Sequence, residues 1–281
     1  MKKKKNVRKI VLTVLIVILS VVFIVSATVF LRNVIRSSKE RKANEEIQDI
    51  VREARRELET ADLKDTDETG DPDPEGKDKK DSHVYADSGV LYEYDKIWQR
   101  NNDMVGWLEI PGTSIAYPVV YTPDNIEKYL RMAFDGSWAI SGTLFLGEGW
   151  DPEGNFSLVF GHHMNDGSMF GKLMDYYSDR ESAKYYKTIR FDTLKEKKEY
   201  EVVTAFYARV DYEDDRTFSG YYVRGLPDEA GFDSYMAKVR SAAIYEPLTD
   251  VRWGDDLLLL STCSSYYSTD ERFVVVARYR P

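Results

Sequence analysis

Hydrophobic and polar positions fall into three regimes along the chain. The first is an apolar run from Ile10 to Leu31, without charge and broken only by Thr13, Ser20, Ser26 and Thr28. At a rise of about 1.5 Å per residue, a run of that length covers the roughly 30 Å hydrocarbon core of a bilayer. It predicts a membrane-spanning helix over 10–31, preceded by a basic tail over 1–9. The second regime, 32–60, is rich in Arg, Glu, Lys and Ala, with Ile47, Ile50, Val51 and Leu58 as a thin apolar set. It predicts a charged, solvated helical stalk. From Ala61 to Ala86 the composition turns to Asp, Lys, Glu, Gly and Pro, including Asp71-Pro72-Asp73-Pro74. So little apolar surface cannot offset ordering entropy, so 61–86 is expected to be a disordered acidic tether.

The third regime, 87–281, has the short alternating and apolar runs of a folded domain. Leu91 to Trp98 has helical spacing and predicts a leading helix. Val105–Ile110 and Ile115–Val120 are strand-like, and Pro111-Gly112-Thr113-Ser114 between them is turn chemistry, so the pair predicts a hairpin. Asp124 is placed to cap a short helix ending at Arg131. Strands are expected over 143–146, 157–160, 188–191 and 199–210, and a helix over 169–177 from the apolar positions Met169, Leu173 and Tyr177. Phe232, Tyr235, Met236 and Val239 share one face of a helix over 228–243. Two apolar runs, Leu257–Cys263 and Arg272–Arg278, close the chain as strands. Many short strands without regular strand–helix alternation predict a mainly β domain with added helices, a closed or partly closed β-barrel decorated by short helices.

Charge and cysteine usage narrow the function. The formal net charge of −9 argues against nucleic acid as a partner. Basic residues flank the apolar run on both sides: Lys2 to Lys5, Arg8 and Lys9 before it, and Arg32, Arg36, Lys39, Arg41 and Lys42 after it. The positive-inside rule therefore leans only towards a cytoplasmic N-terminus with the folded domain outside the cell. A cleaved signal peptide is the rival, because Val25-Ser26-Ala27 is a small-residue site. The apolar run continues past that site, which favours an uncleaved anchor.

The single cysteine, Cys263, excludes an internal disulfide. A lone thiol in an oxidising compartment is a liability unless it is buried or has a task. Cys263 ends one apolar run and Arg272 opens the next. Of the three histidines, His83 falls in the tether, whereas His162 and His163 follow the run Leu158-Val159-Phe160-Gly161. A nucleophilic thiol needs a base and a cationic or hydrogen-bonding partner for the oxyanion. The chain offers these at strand ends. Adjacent histidines point apart on most backbones and no second cysteine completes a site, so no metal is expected.

Leu260-Ser261-Thr262-Cys263, followed after eight residues by Arg272, resembles the cysteine and arginine signature of sortases. Gly161-His162-His163-Met164-Asn165-Asp166-Gly167-Ser168-Met169-Phe170 resembles the histidine segment of the class B members. Asn102 to Leu108 and Tyr117-Pro118-Val119-Val120 resemble the opening of that domain. Leu259 departs from the Thr common at its position.

The resemblance spans about 91–281 and implies a sortase-like closed β-barrel and a cysteine transpeptidase needing no cofactor. It assigns thioacyl formation to Cys263, proton transfer to His162 and oxyanion binding to Arg272. More weakly, it assigns substrate-groove lining to Ser261 and Thr262, while His163 is expected to pack or hydrogen-bond. The implied partners are secreted proteins bearing a C-terminal sorting signal and the amine of a lipid-linked peptidoglycan precursor. The implied location is the membrane of a Gram-positive cell, single-pass, with the catalytic domain extracellular. A pilus-polymerising enzyme with a lysine acceptor, and a non-catalytic envelope domain, are the alternatives. The end of the chain at Pro281, without a second span, is expected of the wall-anchoring type.

Overall fold

The computed structural model describes residues 2–67, 84–209, 223, 226, 228–265 and 268–280. Helix α1, Lys2–Asp67, leads the chain. Its residues up to Ala43 form one compact unit, and Asn44 onward belongs to a second unit with the rest of the protein. In the first unit every large apolar side chain from Leu12 to Leu31 that is described is at least half exposed. That apolar sleeve is long enough to cross a membrane.

In the second unit, α2 (Tyr92–Trp98) is followed by β1 (Met104–Glu109) and β2 (Ala116–Val120). A 3-10 helix, Ile126–Arg131, precedes β3 (Leu144–Leu146) and β4 (Phe156–Phe160). Then come α3 (Leu173–Tyr177), α4 (Arg180–Tyr185), β5 (Thr188–Thr193) and β6 (Glu199–Arg209). Helix α5 (Glu229–Ala242) leads into β7 (Leu257–Ser265) and β8 (Ser268–Tyr279). The strands close into a barrel in the order β1-β2-β3-β4-β7-β8-β6-β5, with β2–β3 and β4–β7 parallel.

The run Leu257-Leu258-Leu259-Leu260 shows why β7 is apolar on both faces. Leu258 and Leu260 point into the barrel with Val159, Ala205 and Val275. Leu257 and Leu259 point outward beneath α5, against Phe232, Tyr235, Met236 and Val239. A central strand covered on both sides reads as a continuous apolar run rather than an alternating one. Burying one such leucine contributes about 1.5–3 kcal/mol. Helix α5 starts where Asp228 caps it, its carboxylate accepting from Gly231 N–H at 2.7 Å.

A third apolar cluster changes the expectation for 32–60. Ile47 and Val51 of α1 are buried with Tyr94, Ile97, Trp107, Val120 and Phe145 over the outer face of β1 to β3. The helix is therefore not solvated all round beyond Asn44. Beside these apolar contacts, Arg55 donates to Glu93 at 3.2 Å, Glu109 at 2.7 Å and the Tyr94 hydroxyl at 3.0 Å. The weak apolar spacing read as a solvated stalk is a narrow docking stripe, too thin to separate from a surface helix by pattern alone. Of the expected tether, 68–83 lies outside the described residues, and His83 with it.

Two local expectations are corrected. Asp124 does not cap the 3-10 helix, because Asn125 holds the cap position without a side-chain bond. The helix expected over 169–177 begins only at Leu173, since Met169 takes a left-handed backbone (φ 51°). There Met169 N–H donates to the Tyr117 hydroxyl at 3.2 Å, and a tertiary contact overrides helical spacing.

Candidate active site

Strand register and loop contacts place the candidate residues. Strand β4 runs parallel to β7 with Phe160 beside Ser261, and Gly161 N–H continues the ladder to the Ser261 carbonyl at 3.1 Å. His162 follows directly beyond that ladder, near enough to Arg272 for the guanidinium charge to act on its ring. Side chains alternate along strands, so parity decides the face. Phe156 and Leu158 of β4, Leu257 and Leu259 of β7, and Val274 and Val276 of β8 all lie on the outer face beneath α5. Cys263 and Arg272 share their parity. The two sit on the outside of the barrel wall, and His162 follows the end of the neighbouring strand β4.

Cys263 and Arg272 are direct partners in the β7–β8 pairing. The guanidinium Nη1 lies 3.5 Å from Sγ and also donates to the Glu271 carbonyl at 3.3 Å. Cys263 is half-buried, neither sunk in the core nor displayed on a loop. It lies inside the strand rather than at its end, because β7 continues to Ser265. The pairing slips between Cys263 and Ser265, an irregularity of the kind that re-aims side chains next to active sites.

His162 is half-buried, and its Nε2 lies 2.7 Å from the Leu130 carbonyl. Burial holds its pKa below the ordinary 6.5; the Leu130 carbonyl works the other way, and the charges of Arg131 and Arg272 add to the lowering. The ring is therefore a neutral base near neutral pH. Gly161 makes this position possible: a Cβ there would lie 2.5 Å from side-chain carbons of both Leu144 and Phe170. The following loop is closed by Phe170 N–H donating to the His162 carbonyl at 3.0 Å and by a single bridge between His163 and Met169. His163 Nδ1 is buried without a hydrogen-bond partner among the described residues.

Ser261 and Thr262 depart from expectation. They are 0% and 2% exposed. Ser261 lies on the covered outer face and Thr262 faces the barrel interior, so neither offers surface to a substrate. The Thr262 hydroxyl finds no partner among the described residues. Because β7 is paired on both sides and covered on both faces, residues next to the thiol in sequence are not next to it in accessible space. The Leu130 carbonyl and the Arg131 guanidinium escaped the sequence reading. A main-chain acceptor leaves no residue-type signal, and Arg131 stands 31 positions before His162.

The arrangement is a thiol with a guanidinium in contact, and a neutral imidazole within reach of that guanidinium's charge, which suits acyl transfer through sulfur. A family model of the sortase domain matches residues 108–280. The chain is 29% identical over 170 residues to sortase B of Listeria monocytogenes, covering 59% of this chain and 64% of that protein. It is 27% identical over 199 residues to sortase B of Staphylococcus aureus, covering 67% and 75% respectively. A Bacillus anthracis protein described as similar to sortase B superposes with a TM-score of 0.65 at 25% identity, covering 87% of this chain and 98% of that one. The matched region thus spans a little under two thirds of the Listeria protein.

Proposed function

This chain belongs to the sortase family, and from that premise we propose that it is a membrane-anchored cysteine transpeptidase of the class B type. His162 takes the proton of the Cys263 thiol as Sγ attacks the carbonyl carbon of a sorting-signal peptide bond in a secreted protein. The C–N bond breaks as His162 gives that proton to the leaving amine, and a thioester links the protein to Sγ. An acceptor amine of a peptidoglycan precursor then gives a proton to His162 and attacks the thioester. The new amide forms, and the departing sulfur takes the proton back from His162. Arg272 donates to the oxyanion in both steps, a role that suits its fixed fork of donors.

The observation that carries this reading is the 3.5 Å approach of Arg272 Nη1 to Cys263 Sγ, with the Arg272 charge also acting on His162. The apolar part of α1 supports anchoring, and the basic residues before it favour a cytoplasmic N-terminus. An anchor raises the effective concentration of substrates held in the same bilayer.

The test is intact mass of the full-length chain in detergent after incubation with a panel of sorting-signal pentapeptides, with and without hydroxylamine. A thioester adduct on Cys263, released faster by hydroxylamine than by water, is the expected result. Adducts that persist in Cys263→Ala would exclude the thioacyl route. Release that no amine accelerates would make the protein a hydrolase instead.

A further inference from the structure

The 3-10 helix Ile126–Arg131 ends beside His162. Tyr129 O accepts from the N–H of the cap residue Met132 at 3.5 Å and from Thr143 N–H at 3.1 Å, while Ala133 N–H turns away to the Ser137 carbonyl at 2.7 Å. Leu130 O is left facing His162 Nε2 at 2.7 Å. A carbonyl oxygen only accepts, so that bond exists only when Nε2 carries the proton. In the neutral ring the basic nitrogen is then Nδ1.

The carbonyl is held there by a close approach that needs glycine. Gly142 has φ +61°, and a Cβ on it would sit 2.6 Å from Tyr129 O and 2.7 Å from Leu130 O. Any side chain at that position forces the two carbonyls, or the 142–143 segment that binds them, to move. The charged groups acting on the ring are Arg131 from the 3-10 helix and Arg272 from β8. Both disfavour imidazolium, and neither chooses between the two nitrogens as a hydrogen-bond acceptor does.

We propose that Gly142 and the Leu130 carbonyl are a positioning pair that locks His162 with Nε2 protonated, so that Nδ1 is the atom exchanging protons in the reaction. The assignment rests on the transpeptidase reading of His162 for its chemical meaning, but the locked tautomer is measurable without any turnover. The pair touches no substrate. It acts through the imidazole, as the oriented partner of a general base does in other nucleophile–base arrangements.

The test is ring-nitrogen NMR of the full-length chain in detergent micelles, labelled with 15N-histidine. With three histidines in the chain, the His162 signals are assigned by their loss in His162→Gln. Above the titration of His162, the wild-type protein is expected to show a pyrrole-type Nε2 and a pyridine-type Nδ1. Gly142→Ala, and Gly142→Asn, which tolerates the left-handed backbone but still adds the Cβ, are expected to mix the two tautomers. They are also expected to lower kcat about a hundred-fold, as a misplacement of about 1 Å does, with KM for the peptide little changed. Gly136→Ala is the control, since Gly136 also has positive φ (+82°) but meets nothing within 4 Å. It should leave tautomer and kcat as in wild type.

A wild-type His162 protonated at Nδ1 overturns the proposal whatever the variants do. So does a folded Gly142→Asn that keeps both the wild-type ring signature and the wild-type kcat. A wild-type protein that shows the locked tautomer yet acylates no peptide leaves the positioning pair standing and removes the transpeptidase reading.

Discussion

Cys263 and Arg272, nine positions apart along the chain, face each other directly across the β7–β8 pair, with Nη1 3.5 Å from Sγ. Because both belong to paired strand, their separation is set by the ladder and not by loop conformation. Removing the guanidinium should therefore leave the thiol in place and delete only the donor. Arg272→Ala is expected to lower kcat for acylation by about 10²–10³-fold, the range for one lost oxyanion donor, while Cys263 alkylates at an undiminished final stoichiometry. Arg272→Lys should recover little, because a point charge does not reproduce the planar fork. Burst kinetics and alkylation counted by mass check both.

The acid limb of activity should lie below the ordinary histidine value. Burial, with Arg131 and Arg272, holds the His162 pKa under 6.5, so the base form persists to lower pH than in a free imidazole. The sign for stability follows the same shift. With the folded pKa depressed, the unfolded chain binds more protons between the two values. Stability from this group is fully present above about 6.5 and is lost as pH falls through the folded pKa. Melting temperature followed from pH 7 to 5 should drop less steeply in His162→Gln than in wild type. Parallel curves would assign the acid sensitivity elsewhere.

The docking of α1 rests on a buried carboxylate. The Glu93 side chain is only 2% exposed and is met by Arg55 at 3.2 Å and Lys197 at 2.8 Å. Burial alone would raise its pKa, but Lys197 and Arg55 outweigh that and hold it below the ordinary value. Arg55→Ala removes one partner and leaves the carboxylate in place, at a cost of about 3 kcal/mol. For a domain of this size, that lowers Tm by roughly 6–12 °C. The double variant Arg55→Met with Glu93→Gln should recover part of the loss, because position 93 then carries no buried charge. Thermal unfolding of the three proteins gives the comparison.

Gly161 is a steric requirement of the site. In Gly161→Ala the new methyl meets Leu144 and Phe170 at 2.5 Å. Overpacking of this kind costs about 1–3 kcal/mol. The larger effect is on His162, the next residue, which the shift carries away from the strand register. We expect kcat to fall more than stability does, read from acylation rate and Tm on the same preparation. A variant of wild-type rate and lower Tm would confine Gly161 to packing.

Much of this protein was legible in its sequence, and the reasons are local. A charge-free apolar run announces a helix long and apolar enough to cross a membrane, and Phe232, Tyr235, Met236 and Val239 announce α5 by their period. Leu257–Leu260 announces a strand covered on both faces. The identities of Cys263, His162 and Arg272 stood out because the chain has one cysteine and three histidines, and because their surroundings resemble one family. The docking stripe of α1 was too narrow to tell from a surface helix, and the left-handed Met169 answers to Tyr117, 52 positions away.

What only the tertiary structure decided is which faces and which atoms meet. Strand period alone leaves a residue free to point to either side; the β7–β8 register and the closure of the barrel select the outer face for Cys263 and Arg272. The same closure buries Ser261 and Thr262 beside a half-buried Cys263, and it brings a main-chain carbonyl of Leu130 to the imidazole. Side-chain alternation is written along the chain, but register is a relation between segments, and it exists only once they have paired.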